Sequence, residues 1–295
     1  MLIVIADNME ESVVSAISEI GEVKYKPENL DEALEDAEVL IVRSATKVTK
    51  DLVEKAGKLK LVIRAGVGTD NIDKEACKEK SIEVKNTPGA SANAVAELVL
   101  GVMISGLRNV QKAQWQMKNK KWDKKHLTGF EISGKTLGII GYGRIGSMLG
   151  KKASSLGMRI IAFSPHPRIE DDIVEYVEDF DQFLKMADVI SLHVPAVPQT
   201  IGMINKESIA KMKENAYIIN TSRGEIIDEG ALYEACKDGK ILGAALDVYP
   251  SEPYSGQLLE LENVSFTPHI GAATKEAQGR IGEEVVKILK DKLSK

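Results

Sequence analysis

The sequence contains only two cysteines, Cys77 and Cys236, each in a helix-like stretch and neither in a Cys-x-x-Cys pair. That excludes a disulfide framework and a cysteine-based zinc site, and no metal centre is expected. Two reduced, partly buried thiols in a reducing cytoplasm are expected instead. No apolar run approaches the roughly 20 residues of a membrane span. The longest, residues 94–107, is interrupted by Glu97 and by glycines. The opening Leu2-Ile3-Val4-Ile5-Ala6 lacks a basic flank and is too short for a signal-peptide core, so neither export nor membrane association is expected. Basic residues are not in excess. The net charge of −5 argues against a non-specific nucleic-acid binder. No short repeat or low-complexity tract occurs. What remains is 295 residues, 43% hydrophobic and 28% charged, which suits two compact domains.

Short apolar runs alternate with helical patterns. Residues 2–6, 23–25, 39–42, 59–63 and 82–85 read as strands, separated by helices near 12–20, 31–37, 50–55 and 74–80. After Asn86-Thr87-Pro88-Gly89, one long helix is expected over residues 90–118. Residues 118–125, the densest basic run, enclose Trp122 and read either as a solvated surface or as an arm that meets an anion or a partner subunit. A second alternation follows, with strands at 137–140, 159–163, 189–193, 217–220, 242–246 and 264–266. Its helices lie near 145–156, 181–186, 206–212 and 230–237, and a last helix spans 274–293. Continuous apolar strands alternating with helices predict parallel sheets buried on both faces, hence an α/β protein with two doubly wound domains.

Gly141-Tyr142-Gly143-Arg144-Ile145-Gly146 fits Gly-x-Gly-x-x-Gly between a strand and a helix. The first glycine serves a tight turn, the second lets backbone approach a pyrophosphate, and the third lets helix pack on sheet. The helix N-terminus offers unpaired N–H groups to phosphate. The acidic residue that should end the next strand and hold the ribose is missing: Ser164 stands there, followed by Pro165-His166-Pro167-Arg168. A carboxylate repels a 2′-phosphate and serine does not, so NADP use competes with NAD use. His166 and Arg168 either attract that phosphate or lie in an exposed loop.

Three further residues follow successive strands. Arg223 lies in Asn220-Thr221-Ser222-Arg223-Gly224, Glu252 in Asp247-Val248-Tyr249-Pro250-Ser251-Glu252-Pro253, and His269 in Thr267-Pro268-His269-Ile270-Gly271. Ligands of open α/β sheets bind beyond the carboxyl ends of strands. Reduction of a keto acid needs a cation for carboxylate and carbonyl, which a guanidinium supplies. It also needs a proton donor, which an imidazole supplies and a carboxylate orients. His193, beside Val194-Pro195, ends a strand at the expected border of the cofactor, and His126 reads as structural.

At these residues the sequence resembles the D-isomer-specific 2-hydroxyacid dehydrogenases. The likeness covers nearly the whole chain. Among its most specific pieces are Val42-Arg43-Ser44-Ala45-Thr46-Lys47, Arg64-Ala65-Gly66-Val67-Gly68-Thr69-Asp70-Asn71, the glycine loop, Gly243-Ala244-Ala245-Leu246-Asp247-Val248 and His269-Ile270-Gly271-Ala272. The resemblance implies that Arg223, Glu252 and His269 are the catalytic trio. It implies a Rossmann nucleotide domain, residues 95–270, inserted into a flavodoxin-like substrate domain of residues 1–94 plus 271–295, with the active cleft between them. It assigns the cofactor to Gly141, Tyr142, Gly143, Arg144, Ile145, Gly146, Ser164, His193, Val194, Pro195, Thr221, Ser222, Asp247, Gly271 and Ala272. It assigns the substrate to Arg43, Ser44, Arg64, Gly66, Val67 and Gly68.

The pattern around Arg43 points to a phosphorylated substrate, 3-phosphoglycerate, with glyoxylate or hydroxypyruvate reduction as the alternative. A homodimer is implied, in which Lys124 or Lys125 contributes across the contact. Val67 stands where phosphate-specific members often carry a small polar residue. The chain stops one helix past His269, so inhibition by serine through a C-terminal regulatory domain is not expected. A nucleotide-sensing corepressor built on the same fold is disfavoured by the retained trio.

Overall fold

A computed structural model describes residues 1–164 and 169–293. The chain forms two units, Met1–Ala92 with Ala272–Lys295, and Asn93–Gly271.

The first unit begins as β1 (Leu2–Ile5), α1 (Glu11–Ser18), β2 (Glu22–Tyr25), α2 (Leu30–Leu34), β3 (Val39–Val42), α3 (Lys50–Lys55), β4 (Leu61–Arg64), α4 (Lys74–Glu79) and β5 (Glu83–Asn86). Its strands pair in parallel in the order β2-β1-β3-β4-β5. Successive strand residues face opposite sides, which explains the unbroken apolar runs. Val4, Leu40, Val42 and Val62 pack under helices α2 to α4 through Leu34, Leu52, Val53 and Cys77. Ile3, Ile5, Val39, Ile41, Leu61 and Ile63 face the other way. The helices start where the side chains of Asn29, Thr49 and Asp73 accept from backbone N–H groups, as capping residues do.

Two helices, α5 (Ala92–Leu107) and α6 (Val110–Lys118), lead into the second unit. The single helix expected over 90–118 is therefore two, with axes bent by 66°. Asn109, at φ 53°, breaks it in the left-handed region, which asparagine tolerates better than most residues, and its side chain donates to Thr128 O. The unit continues with β6 (Thr136–Ile140), α7 (Arg144–Ser155), β7 (Arg159–Phe163), β8 (Val174–Tyr176), α8 (Phe180–Met186), β9 (Val189–Leu192), α9 (Lys206–Lys211), β10 (Tyr217–Asn220), α10 (Glu229–Lys237), β11 (Gly243–Leu246) and β12 (Val264–Phe266). Strand β8 escaped the sequence reading because it is a three-residue edge strand with no buried residue in its pattern. The seven strands run parallel in the order β12-β11-β10-β9-β6-β7-β8. The winding direction reverses between β6 and β9, so a ligand crevice is expected at their carboxyl ends.

The last helix, α11 (Lys275–Leu293), packs Ile281, Val285 and Leu289 on the first sheet with Val13 and Ile17 of α1. Lys292 pairs with Glu83 of β5 at 2.8 Å. Both cysteines are buried, and burial raises the Cys77 thiol and pushes Cys236 up to about 12. Among the described residues, no cluster of three or more His, Cys, Asp or Glu could hold a metal, and no single helix is long and apolar enough to cross a membrane.

Two glycines of α11 make opposite predictions. A Cβ on Gly282 would lie 2.2 Å from Val13 Cγ2, whereas one on Gly279 would meet nothing within 4 Å. Gly279→Ala is expected to stabilise by up to about 1 kcal/mol through helix propensity. Gly282→Ala is expected to destabilise by about 1–3 kcal/mol through overpacking against α1. Urea unfolding of both variants checks the pair; equal shifts of the same sign would contradict the packing.

Candidate active site

Strand β6 delivers Gly141 to the switch point at φ +93°, where a Cβ would strike His193 O at 2.5 Å. Only a glycine fits this turn beside the end of β9. A Cβ on Gly143 would face open space, so a ligand can approach its backbone. A Cβ on Gly146 would meet Gly141 O at 2.4 Å. Helix α7 starts at Arg144 with Gly143 as its cap and no side chain covering its N–H groups. A dinucleotide's pyrophosphate fits these features. Ile145 packs against the core, and Tyr142 turns its side chain into it at 1% exposure, leaving only its backbone at the loop. Ser164 follows β7 directly, and His166 and Arg168 lie outside the described residues.

At the end of β9, the buried Ser191 hydroxyl lies 2.8 Å from His193 Nε2. His193 Nδ1 is shielded from solvent and has no hydrogen-bond partner among the described residues, and the same holds for Thr221 Oγ1. Burial pushes the His193 imidazole down to about 4, so it is neutral at physiological pH. Val194 and Pro195 continue from it along the loop. Thr221 lines a narrow crevice with Leu98, Asp247 and Thr267. Two orphaned polar atoms past the carboxyl ends of β9 and β10 suit a bound group that is rich in hydroxyls and amides.

The carboxyl ends of β10, β11 and β12 lie side by side. Asn220 shapes the first loop: its amide donates to Arg223 O, and its Oδ1 accepts from the N and Oγ of Ser222. Gly224 then touches the next loop so closely that a Cβ would lie 2.1 Å from the Tyr249 carbonyl carbon. That contact brings the Arg223 loop against the segment bearing Glu252. Tyr249 OH donates between Leu246 O and Thr267 O, tying the loops after β11 and β12. Glu252 and His269 meet, with Nδ1 3.0 Å from Oε2 and 3.1 Å from Oε1. An ionised carboxylate only accepts, so Nδ1 carries a proton and Nε2 is left for a ligand.

His269 sits at φ 53°, in the left-handed region. Asp247 holds that turn. Its Oδ1 accepts from Thr267 Oγ1 at 2.6 Å and from Ile270 N at 2.7 Å, and its Oδ2 accepts from Gly271 N at 2.9 Å. The resemblance assigns Asp247 to the cofactor, and within the protein both its oxygens accept hydrogen bonds. Gly271 contributes its N–H to the same clamp. Ala272, the next residue, begins the second segment of the first unit, and its carbonyl accepts from Gln278 Nε2.

In the first unit, Arg43 and Ser44 follow β3, and Gly66, Val67 and Gly68 follow the neighbouring β4. Arg43 Nη1 donates to Asn8 O at 3.1 Å. Gly66, at φ +153°, leaves the space that the Arg64 guanidinium fills, since a Cβ would lie 1.2 Å from its Nη1. Val67 is exposed, and its carbonyl accepts from Asn86. Two residues missed by the sequence reading shape this loop. Asp7 accepts from Arg43 N at 2.5 Å, Thr46 N at 3.3 Å and Thr46 Oγ1 at 2.7 Å. Asn71 donates to Arg43 O and Thr46 O. Asp7 lies just past a strand's carboxyl end, the rule already applied to the second sheet, and Asn71 lies inside the quoted motif.

Residues 100–271 match the family described as D-isomer specific 2-hydroxyacid dehydrogenase, NAD binding domain, and the chain belongs to that family. It is 48% identical to a D-3-phosphoglycerate dehydrogenase of Methanocaldococcus jannaschii, over 99% of this chain and 58% of that protein. It is 49% identical to a hydroxypyruvate reductase of Thermotoga maritima, over 92% of this chain and 90% of the relative. Among solved structures it resembles an acyclic imino acid reductase in complex with NADPH and D-Arg, at TM-score 0.91 and 29% identity, covering 100% of this chain and 97% of the other. The chain thus spans little more than half the length of the phosphoglycerate dehydrogenase that it matches.

The depressed His193 gives a pH prediction with a definite sign. The unfolded chain takes up the proton near pH 6.5 and the folded chain only near pH 4. This site's contribution is therefore complete above pH ~6.5 and falls as the pH drops through 4, by about 3 kcal/mol at most. His193→Gln removes that dependence. Denaturant unfolding at pH 7 and 4.5 is expected to show the stability gap between wild type and variant narrowing at the lower pH by about 2 kcal/mol. An equal gap at both would contradict the burial of a neutral imidazole.

Proposed function

We propose that the chain is an NAD(P)-dependent dehydrogenase of D-2-hydroxy acids that interconverts 3-phosphoglycerate and 3-phosphohydroxypyruvate, the first step of the phosphorylated route to serine. The observation that carries the redox reading is the contact of His269 Nδ1 with Glu252, on a turn clamped by Asp247 beside the Arg223 loop. Arg223 pairs with the substrate carboxylate and polarises the adjoining carbonyl. His269 Nε2 gives a proton to that oxygen during reduction and takes it back during oxidation. Glu252 fixes the tautomer and orients the ring. The bound dinucleotide supplies or accepts the hydride.

The glycine loop receives the pyrophosphate. Thr221 and His193 offer their orphaned polar atoms to the nicotinamide half, and the backbone of residues 194–195 borders it. Ser164 reads the ribose and leaves 2′-phosphate unopposed, which supports use of NADP as well as NAD. Arg43, its loop held by Asp7 and Asn71, receives the substrate's phosphate with help from Arg64 and Ser44. The backbone of Gly66, Val67 and Gly68 receives the carboxylate. The similarity to the Methanocaldococcus enzyme supports the phosphorylated substrate.

The second reading, hydroxypyruvate or glyoxylate reduction, is favoured by the exposed Val67 and by a relative of that name matched over 90% of its length. We place the enzyme in the cytoplasm as a homodimer. The exposed Val110, Trp115, Met117 and Trp122, in or just beyond α6, support a second copy on that face.

Rates of NADH and NADPH oxidation with phosphohydroxypyruvate, hydroxypyruvate and glyoxylate, for wild type and Arg43→Ala, separate the readings. The expected result is highest kcat/KM with phosphohydroxypyruvate, and in Arg43→Ala a loss of about 10²-fold for that substrate, the scale of a buried charge pair. The loss for glyoxylate should be much smaller. Highest kcat/KM with glyoxylate or hydroxypyruvate, or equal losses for all substrates, would contradict the phosphate assignment. A large preference for NADH would remove the NADP reading.

A further inference from the structure

The glycine loop's second residue is a tyrosine whose side chain does no work at the loop surface. Tyr142 is 1% exposed, and its hydroxyl reaches Asp171 Oδ2 at 3.3 Å. Helix α7 is built around it: a Cβ on Gly150 would lie 2.8 Å from the Tyr142 hydroxyl and 3.0 Å from its ring. A glycine in the interior of a helix costs about 1 kcal/mol relative to alanine, and the room required by Tyr142 explains this one. Asp171 is itself 10% exposed and lies 3.7 Å from Lys151 Nζ of the same helix. Its other oxygen accepts from Ile173 N. The Tyr142 ring meets Tyr176 of β8 edge-on, with centroids 5.9 Å apart. The Tyr176 hydroxyl in turn accepts from Ile169 N at 3.0 Å and donates to Ile169 O at 2.9 Å. Burial, with the Asp171 carboxylate beside it, holds the Tyr142 phenol well above its usual range, so it stays a donor.

One side chain therefore joins the backbone that would face a pyrophosphate to Asp171, in the connection that leads into β8, and to Tyr176 of β8 itself. Strand β7 ends at Phe163, and Ser164, at its carboxyl end, occupies the position that meets the adenosine ribose in this class of fold. We propose that Tyr142 and Asp171 are positioning residues for the dinucleotide: their hydrogen bond fixes the phosphate loop from behind and couples its position to the ribose-reading strand end. Neither side chain touches the cofactor. The inference rests on the dinucleotide reading of the glycine loop.

The test is fluorescence titration of NADH and NADPH into wild type, Tyr142→Phe, Asp171→Ala, Asp171→Asn and the double variant Tyr142→Phe/Asp171→Ala. Tyr142→Phe and Asp171→Ala are each expected to raise the Kd for NADH about threefold to tenfold, the factor carried by one hydrogen bond. Asp171→Asn keeps an acceptor for the phenol and should stay within about twofold of wild type. The double variant should be no weaker than the weaker single one, because both remove the same bond. In Asp171→Ala the KM for the keto acid should not rise with the cofactor's Kd. Unchanged NADH affinity in both single variants, or additive losses in the double, would overturn the proposal while leaving the dinucleotide reading intact. Failure of the wild type to bind either dinucleotide would overturn both.

Discussion

The candidate active site depends on one buried carboxylate. Asp247 is 2% exposed, and an ion removed from water to that degree is tolerated only when hydrogen bonds replace its hydration. The donors come from the Thr267 hydroxyl and from the backbone N–H groups of Ile270 and Gly271, on either side of His269. Satisfying the charge and shaping the turn are thus the same event. The left-handed backbone of His269 costs energy that these bonds offset, and the imidazole is presented to Glu252 as a consequence.

The first unit repeats the device. Asp7, just beyond β1, accepts from two backbone N–H groups and a threonine hydroxyl of the loop after its neighbouring strand β3, as Asp247 does for the loop after β12. In both sheets the strands end in step, so an acidic residue past one carboxyl end can organise the loop past the next. Glycines supply the complementary half of the construction. Gly141 and Gly224 have no room for a side chain, and their closeness to His193 and Tyr249 fixes how adjacent strand ends meet. Candidate catalytic groups distant in sequence are brought together by these short contacts between neighbouring loops.

Much of this was legible in the sequence. Apolar runs of four or five residues between helical patterns marked the central strands of both sheets, because strands buried on both faces need no polar alternation. The positions of the glycine loop and the Arg223, Glu252 and His269 segments were readable because each follows a strand, and carboxyl ends of such strands are where ligands of this fold bind. What escaped had identifiable physical causes. The bend at Asn109 interrupts a stretch whose apolar periodicity continues on both sides, and β8 is too short and too exposed to give a pattern. Asp247 and Tyr142 lie in motifs that suggest cofactor contact, and the side chain of each also makes hydrogen bonds within the protein that the motifs do not announce. Periodicity and spacing locate a residue near a site, but they do not say which way its side chain turns.

If the clamped imidazole moves the proton, as proposed, the single-turnover rate of NADH oxidation with the preferred 2-keto acid, at saturating dinucleotide, separates wild type from His269→Asn. The expected result is a fall of about 10²–10⁴-fold, the usual contribution of a positioned general acid, with NADH affinity retained. A variant that turns over at the wild-type rate would contradict it.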